Sequence, residues 1–534
     1  MKKKVFSLLL AASLVLSVVT GCGKSSVEAT AAVDPEVSQT EKAETKEPLT
    51  LKFFVRQSSY VKSDWNDMLQ WQEMEKITGI HVDWELVDAS AALEKRTLAL
   101  ASGDYPDVFW GADFTTEEFQ KYVEQGIFLP LEELIEEYAP NIQAVLEGDA
   151  SIRKALTLPD GHIYSLPKIS LNVNQRIWGK MWYNQPILDE LGMEIPGTVE
   201  EFMAYLRTIK EKKPEMIPFA CDNEAADPFL RYIGMIGGAY GIFNRGIKSP
   251  NFDYNEEEGK VRFIPVSEEY KEVLEMVNDM YTEGLIPQNL DNHTIDKLNI
   301  YGSQGQLASF MYNHTVPAGK YADDYVNAEA PLIGPEGKQL EVICSPKIQV
   351  IPSFMICSTN KNPVETIKWL DYLYSEEGEK LFYMGIEGVS YTEDENGELH
   401  YVEYITNNPD GLTLDEAISL YSVWPASNVS CVRQVKYALD HPDGNSKFVA
   451  VGEKYAPYIP EELWNGFWYT SEENEEIQSI TTDLDAYIIQ ARTEFITGKR
   501  EFDDWDSYLS DIQKMRGDRY LELTQAAYER YAAN

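Results

Sequence analysis

From residue 51 onward the apolar positions follow two rhythms, a period of two and a period near 3.6, and the switches between them delimit elements. Residues 51–55, Leu-Lys-Phe-Phe-Val, read as a buried strand. A helix is expected over 64–78, where Trp65, Met68, Leu69, Met74 and Ile77 keep near-helical spacing and Gly79 supplies the stop. Residues 80–86 alternate apolar and polar, as a half-buried strand does, and a helix over 91–101 closes at Gly103. Residues 105–110 place another strand straight after a turn. This β-α-β-α-β order implies parallel strands with crossover helices, an α/β unit whose ligand edge lies at the carboxyl ends of its strands. Trp110-Gly111 falls at such an end.

The later chain repeats the theme without a fixed period. A turn and strand are expected over 160–167, a strand over 178–184 and a short helix over 186–191 that ends at Gly192. Thr198 and Glu201 form a capping box for a helix running to about 213. Residues 251–264 read as a hairpin around Glu258-Gly259, and 270–283 as a helix stopped by Gly284. The C-terminal third is mainly helical, with segments at 363–374, 376–384, 413–422, 473–497 and 503–531.

The amino terminus changes the picture from a globular chain to an exported one. Lys2, Lys3 and Lys4 precede an apolar run over 5–18, too short and too early for a spanning helix. Val19-Thr20-Gly21-Cys22 resembles the bacterial lipobox, which implies a signal peptide over 1–21 and a diacylglyceryl group on Cys22. Residues 23–48 lack aromatics and apolar periodicity, and read as a flexible tether. What remains of the 534 residues exceeds one hydrophobic core, so two lobes are expected. A net charge of −42 argues against nucleic acid or anionic lipid as a partner, since both require a basic face. The remaining cysteines, Cys221, Cys344, Cys357 and Cys431, have no CxxC spacing and no neighbouring histidine, which argues against zinc; Cys344 with Cys357 is the disulfide pair to test.

Several stretches carry a family resemblance: 98–108 (LALASGDYPDV), 160–167 (DGHIYSLP), Trp182-Tyr183-Asn184 leading into 188–192 (LDELG), 281–286 (YTEGLI), 370–378 (LDYLYSEEG) and 515–531. In this order and spacing the chain resembles the family 1 extracellular solute-binding proteins of carbohydrate importers of the ATP-binding-cassette class, in the long lipoprotein subgroup of Gram-positive bacteria. The resemblance implies an α/β, two-lobe periplasmic-binding-protein-like fold of type II, with discontinuous lobes joined by hinge segments. On that pattern one lobe takes about 49–168 and 288–357, and the other about 169–287 and 358–534. It also implies an oligosaccharide ligand captured by closure, delivery to permease subunits, and membrane contact through the lipid only. A monomer is expected because closure needs two free lobes. The loops at 428–430 and 457–469 match nothing in the pattern.

Sugar capture needs flat rings for C–H faces and Asp, Asn or Arg for hydroxyls. Candidates by position are Trp110, Trp178, Asp222, Tyr312, Asn313, Trp424 and Trp464, each at a strand end, at a helix end or in a polar or aromatic loop. Ordinary core packing competes for each aromatic. No cofactor or metal is expected. Asp394, Asn396, Gly397 and Glu403 fall on calcium-loop positions, but Thr392 stands where the first acid belongs, and Asn396-Gly397 is a hairpin-turn signal. Catalysis is not expected, since HExxH, GxSxG and a phosphate loop are all missing, although a secreted glycoside hydrolase is the rival class. A receptor for peptide or polyamine keeps the same fold with other cargo.

Overall fold

The structure is a computed structural model that describes residues 49–533, except 59–60, 62, 223–226, 291–293 and 425–427. The signal peptide, Cys22 and the tether lie outside the described residues. Residues 48–534 form one compact unit. Two sheets organise it.

The first sheet has six strands, in spatial order Cys431–Arg433, Leu166–Ser170, Ile348–Ile356, Val108–Trp110, Leu49–Gln57 and Ile80–Asp88. All are parallel except Ile348–Ile356, which runs opposite to both of its neighbours. The second sheet has four strands, ordered Tyr325–Asn327, Met181–Asn184, Ser309–Met311 and Ala220–Cys221, with Met181–Asn184 as the reversed strand. Each sheet therefore gathers the carboxyl ends of its parallel strands on one edge, joined there by the amino end of its reversed strand.

The expected early elements are present: Leu69–Thr78 ends at Gly79, Ala92–Ser102 at Gly103, and Thr198 with Glu201 caps Val199–Lys212 by a reciprocal capping box. The lobe boundaries need correction. Residues 288–357 were expected in the first lobe, but Ser309–Met311 and Tyr325–Asn327 pair with Met181–Asn184 in the second sheet. Residues 358–534 were expected in the second, yet Pro363–Leu373 and Glu376–Met384 pack on the first core through Ile367, Trp369, Leu370 and Phe382, and Cys431–Arg433 joins the first sheet. From Ser446 onward the helices Ser446–Tyr455, Ser471–Ile496 and Trp505–Lys514 do belong to the second body. The lobes are discontinuous, but the exchange points differ.

Among the described residues the chain passes between the bodies three times, the last between Arg433 and Ser446, and the first two passages are short crossings that run edge to edge between the sheets. Ser170 ends a first-sheet strand and Met181 begins a second-sheet strand; the return enters Ile348. The crossings pair with each other through the Ile177–Cys344 bridge and through Ser345 N–H to Arg176 O at 2.8 Å, Trp178 N–H to Ile343 O at 2.9 Å, and Ser170 N–H to Lys347 O at 2.8 Å. The two carboxyl edges are thus held next to one another by a two-stranded ribbon. A disulfide between Cys344 and Cys357 is excluded, because the nine-residue Ile348–Ile356 strand separates them by about 30 Å and both are free thiols.

Candidate functional site

The second-sheet edge collects four of the sequence candidates. Trp178, half-buried, precedes Met181–Asn184; Asp222 follows Ala220–Cys221; Tyr312 and Asn313 follow Ser309–Met311. Trp178 and Tyr312 meet edge to face, with ring centroids 5.7 Å apart. Arg231 lies in the first turn of Leu230–Ala239, with its guanidinium 5.6 Å from the Trp178 ring and 3.1 Å from Asp222 Oδ1. This couples a cation–π contact to an ion pair, which fixes the indole and the carboxylate together. His314 packs against Tyr312, with centroids 4.9 Å apart.

Beneath this group Lys180 ties the crossing to the loop. Its buried ammonium donates to Asn174 O at 2.9 Å, to Asn174 Oδ1 and to Asn313 O at 3.0 Å. The Asn313 side chain is buried, and its Oδ1 meets no donor among the described residues. A buried acceptor left so is costly unless something else satisfies it. Glu341 sits on the other side of the crossing, where burial pushes its carboxyl up to about 8. A methyl group on Gly179 would stand 2.2 Å from Glu341 Oε1, so only glycine lets the two segments approach this closely.

At the first-sheet edge the polar groups lie just beyond the strand end. Gly111 and Asp113 both take left-handed backbone, at φ 61° and 54°. Gly111 is required, since a Cβ there would sit 3.0 Å from the Asn428 and Val429 backbone. Asp113 accepts this strained conformation and receives Arg56 Nε at 2.9 Å and Asn428 Nδ2 at 2.9 Å. Arg96 donates to the Ala112 and Asp113 carbonyls and holds the turn from below.

Three candidates lie in the core. Trp110 is 0% exposed and packs among Phe53, Trp71, Trp84, Phe354 and Trp369. Trp424 is 3% exposed, donates Nε1–H to the Tyr401 hydroxyl at 2.8 Å and lies under Arg433. Trp464 is 1% exposed, against Phe467 and Tyr528. Sequence reasoning missed Arg231, His314, Arg56 and Asp113. Asp113 alone had a readable signal, as the first acid past a parallel strand end.

A cavity of about 430 Å³ flanks these edges, lined from the first body by Thr116 and Gln120 and from the second by Lys248, Asn251, Asp485 and Tyr520, with Phe467, Trp468 and Tyr469 between. Thr116 is three residues past Asp113, and Ile247, beside Lys248, donates to Val342 O in the return crossing at 3.0 Å. The Asn396-Gly397 turn closes the Tyr391–Glu393/Leu399–Tyr401 hairpin, as its sequence implies. Asp394 Oδ1 accepts the Asn396 and Glu398 N–H groups there. Asp394, Glu398 and His400 place ligand-type atoms within 4.8 Å of one another.

A doubly discontinuous pair of α/β lobes, with polar and aromatic groups on adjoining carboxyl edges, defines a ligand-capturing receptor architecture. The sequence model for the bacterial extracellular solute-binding proteins matches residues 60–380, and the chain belongs to that family. It is 26% identical over 508 residues to the fructooligosaccharide ABC transporter substrate-binding protein FusA of Streptococcus pneumoniae serotype 4, covering 92% of each chain. It is 24% identical over 476 residues to lipoprotein LipO of Bacillus subtilis, covering 85% of this chain and 88% of that one. The solved complex of S. pneumoniae FusA with kestose superposes with a TM-score of 0.69 at 25% identity, over 91% of this chain and 100% of that one. A human-milk-oligosaccharide-binding solute-binding protein of Bifidobacterium longum infantis shares the fold, with a TM-score of 0.73 at 20% identity over 91% and 99% of the chains.

Proposed function

We propose that this chain is the receptor subunit of an ATP-binding-cassette importer and captures a neutral oligosaccharide between its two carboxyl edges, catalysing nothing. The observation that carries this reading is the Trp178–Tyr312 pair clamped by Arg231 and Asp222, beside the buried Asn313 acceptor. The rings cover sugar C–H faces, and the polar groups meet hydroxyls. FusA, similar along nearly the whole chain, was solved with kestose, which makes fructo-oligosaccharides the first class to test. In the bound state the sugar adds contacts to the Asp113–Asn428 edge, and that added contact favours closure about the paired crossings.

Lipidation of Cys22 would hold the body on the extracellular face of the membrane, as a monomer that delivers its cargo to permease subunits. Among the described residues no helix is long and apolar enough to cross a membrane. The deciding experiment is thermal melting of residues 27–534 against fructo-oligosaccharides and other plant and host glycans. A rise of several degrees with kestose or its longer homologues, and intact sugar after overnight incubation, supports the reading. A rise only with peptides or polyamines replaces the cargo, and cleaved sugar replaces the function.

A further inference from the structure

A second cavity, of about 300 Å³, lies on the first body and shares no lining residue with the first, walled by Leu69, Leu420, Tyr421 and Val389. Resting on the glycan reading, we propose that it is a distal subsite that takes one neutral sugar unit of the captured oligosaccharide. Three observations carry the inference. The first is position. Ser63, on the cavity wall, accepts through its carbonyl from Gln57 Nε2 at 3.1 Å, and Gln57 is the last residue of the Leu49–Gln57 strand. Its neighbour Arg56 is the partner of Asp113, so the Ser63 wall of the cavity adjoins the carboxyl end of the strand that carries Arg56.

The second is exposure. Leu69 and Val389 are 53% and 42% exposed, although both are large and apolar and both face one cavity. Apolar walls that a ligand's C–H face can cover are what a sugar subsite requires. The third is charge. Asp64 and Asp67 stand on the rim, with Asp64 Oδ1 fixed by the Asn66 backbone and side-chain amides at 3.0 and 2.9 Å. Carboxylates accept hydroxyl hydrogens and repel a uronate, which selects a neutral ring. The volume is near the lower limit for small-molecule pockets and suits one ring.

The consequence is a dependence of affinity on chain length. Dissociation constants for kestose and for an inulin-type fructan of six units would be measured by calorimetry on wild type, Val389→Trp, which fills the cavity from an exposed position, and Leu69→Ala, which strips a wall. The expected result is that wild type binds the longer fructan about tenfold more tightly, and that both variants remove this gain while leaving kestose within about twofold. Equal affinity for both fructans in wild type overturns the subsite alone, as does an unaltered length preference in both variants. Binding of neither fructan to wild type overturns the glycan reading and the subsite together.

Discussion

At the scale of single residues, Trp110 and Trp178 contrast a core indole with the indole proposed for ligand contact. Both indoles adjoin strand ends, but Trp110 shares the inward face of its strand with Val108 and completes an aromatic core, whereas Trp178 lies in the crossing and leans on Arg231. Trp110→Ala is expected to cost about 3–5 kcal/mol in denaturant unfolding. Trp178→Ala is expected to leave the midpoint nearly unchanged and to weaken kestose binding at least tenfold by calorimetry. Equal losses of stability in the two variants would contradict the assignment. Glu341 adds a pH term. Its folded value, raised by burial from 4.5 to about 8, means the folded chain holds a proton that the unfolded chain releases. Stability from this group is therefore complete below pH 4.5 and falls as pH climbs toward 8. Ile343 N–H and Lys180 oppose the shift but do not cancel it. Glu341→Gln should flatten the melting temperature between these limits and raise it at pH 8; an unchanged pH slope would count against a protonated Glu341. None of this was legible in the sequence, because acids are abundant and burial is a property of three dimensions.

At the scale of elements, legibility followed local chemistry. The capping box at Thr198 and Glu201 was readable because its two hydrogen bonds lie within four residues. The strand Ile348–Ile356 was not, since it is buried on both faces, holds Pro352 and bulges between Val350 and Phe354, which erases the period of two. The segment 503–531, expected as a long helical stretch, is two helices, Trp505–Lys514 and Gly517–Ala533, broken where Arg516 takes φ 67°. The break lets Gly517 close on Ile512 and Phe263. The turn after Val108–Trp110 was half legible: Gly111 marked it, but the partner that makes glycine necessary comes from Asn428, far along the chain. Gly111→Ala is expected to lose about 1–3 kcal/mol through left-handed strain and the clash with the 428–429 backbone. Because that clash displaces Asn428 from Asp113, ligand affinity should fall as well. Calorimetry that finds normal affinity in a destabilised protein would separate the turn from the site.

At the scale of the whole molecule, the two-lobe class was readable and the lobe membership was not. Alternating strands and helices announce α/β order, but nothing local states which sheet a later strand will join, and the chain returns to the first sheet at Ile348 and again at Cys431. The charge of −42 gains meaning at this scale. A body so acidic is repelled by an anionic membrane surface, so the proposed anchor would have to act against that field. The lipidation proposed for Cys22 would suffice, since each buried methylene contributes about 0.8 kcal/mol and two acyl chains would bury many. The prediction is all-or-none: Cys22→Ser, expressed in a Gram-positive host, should appear in the culture medium with kestose binding intact, while wild type fractionates with membranes. A Cys22→Ser protein that stays with the membrane in low salt would mean that the folded body itself carries an attachment surface, and the acidic exterior makes the permease, not lipid, the partner it would have found.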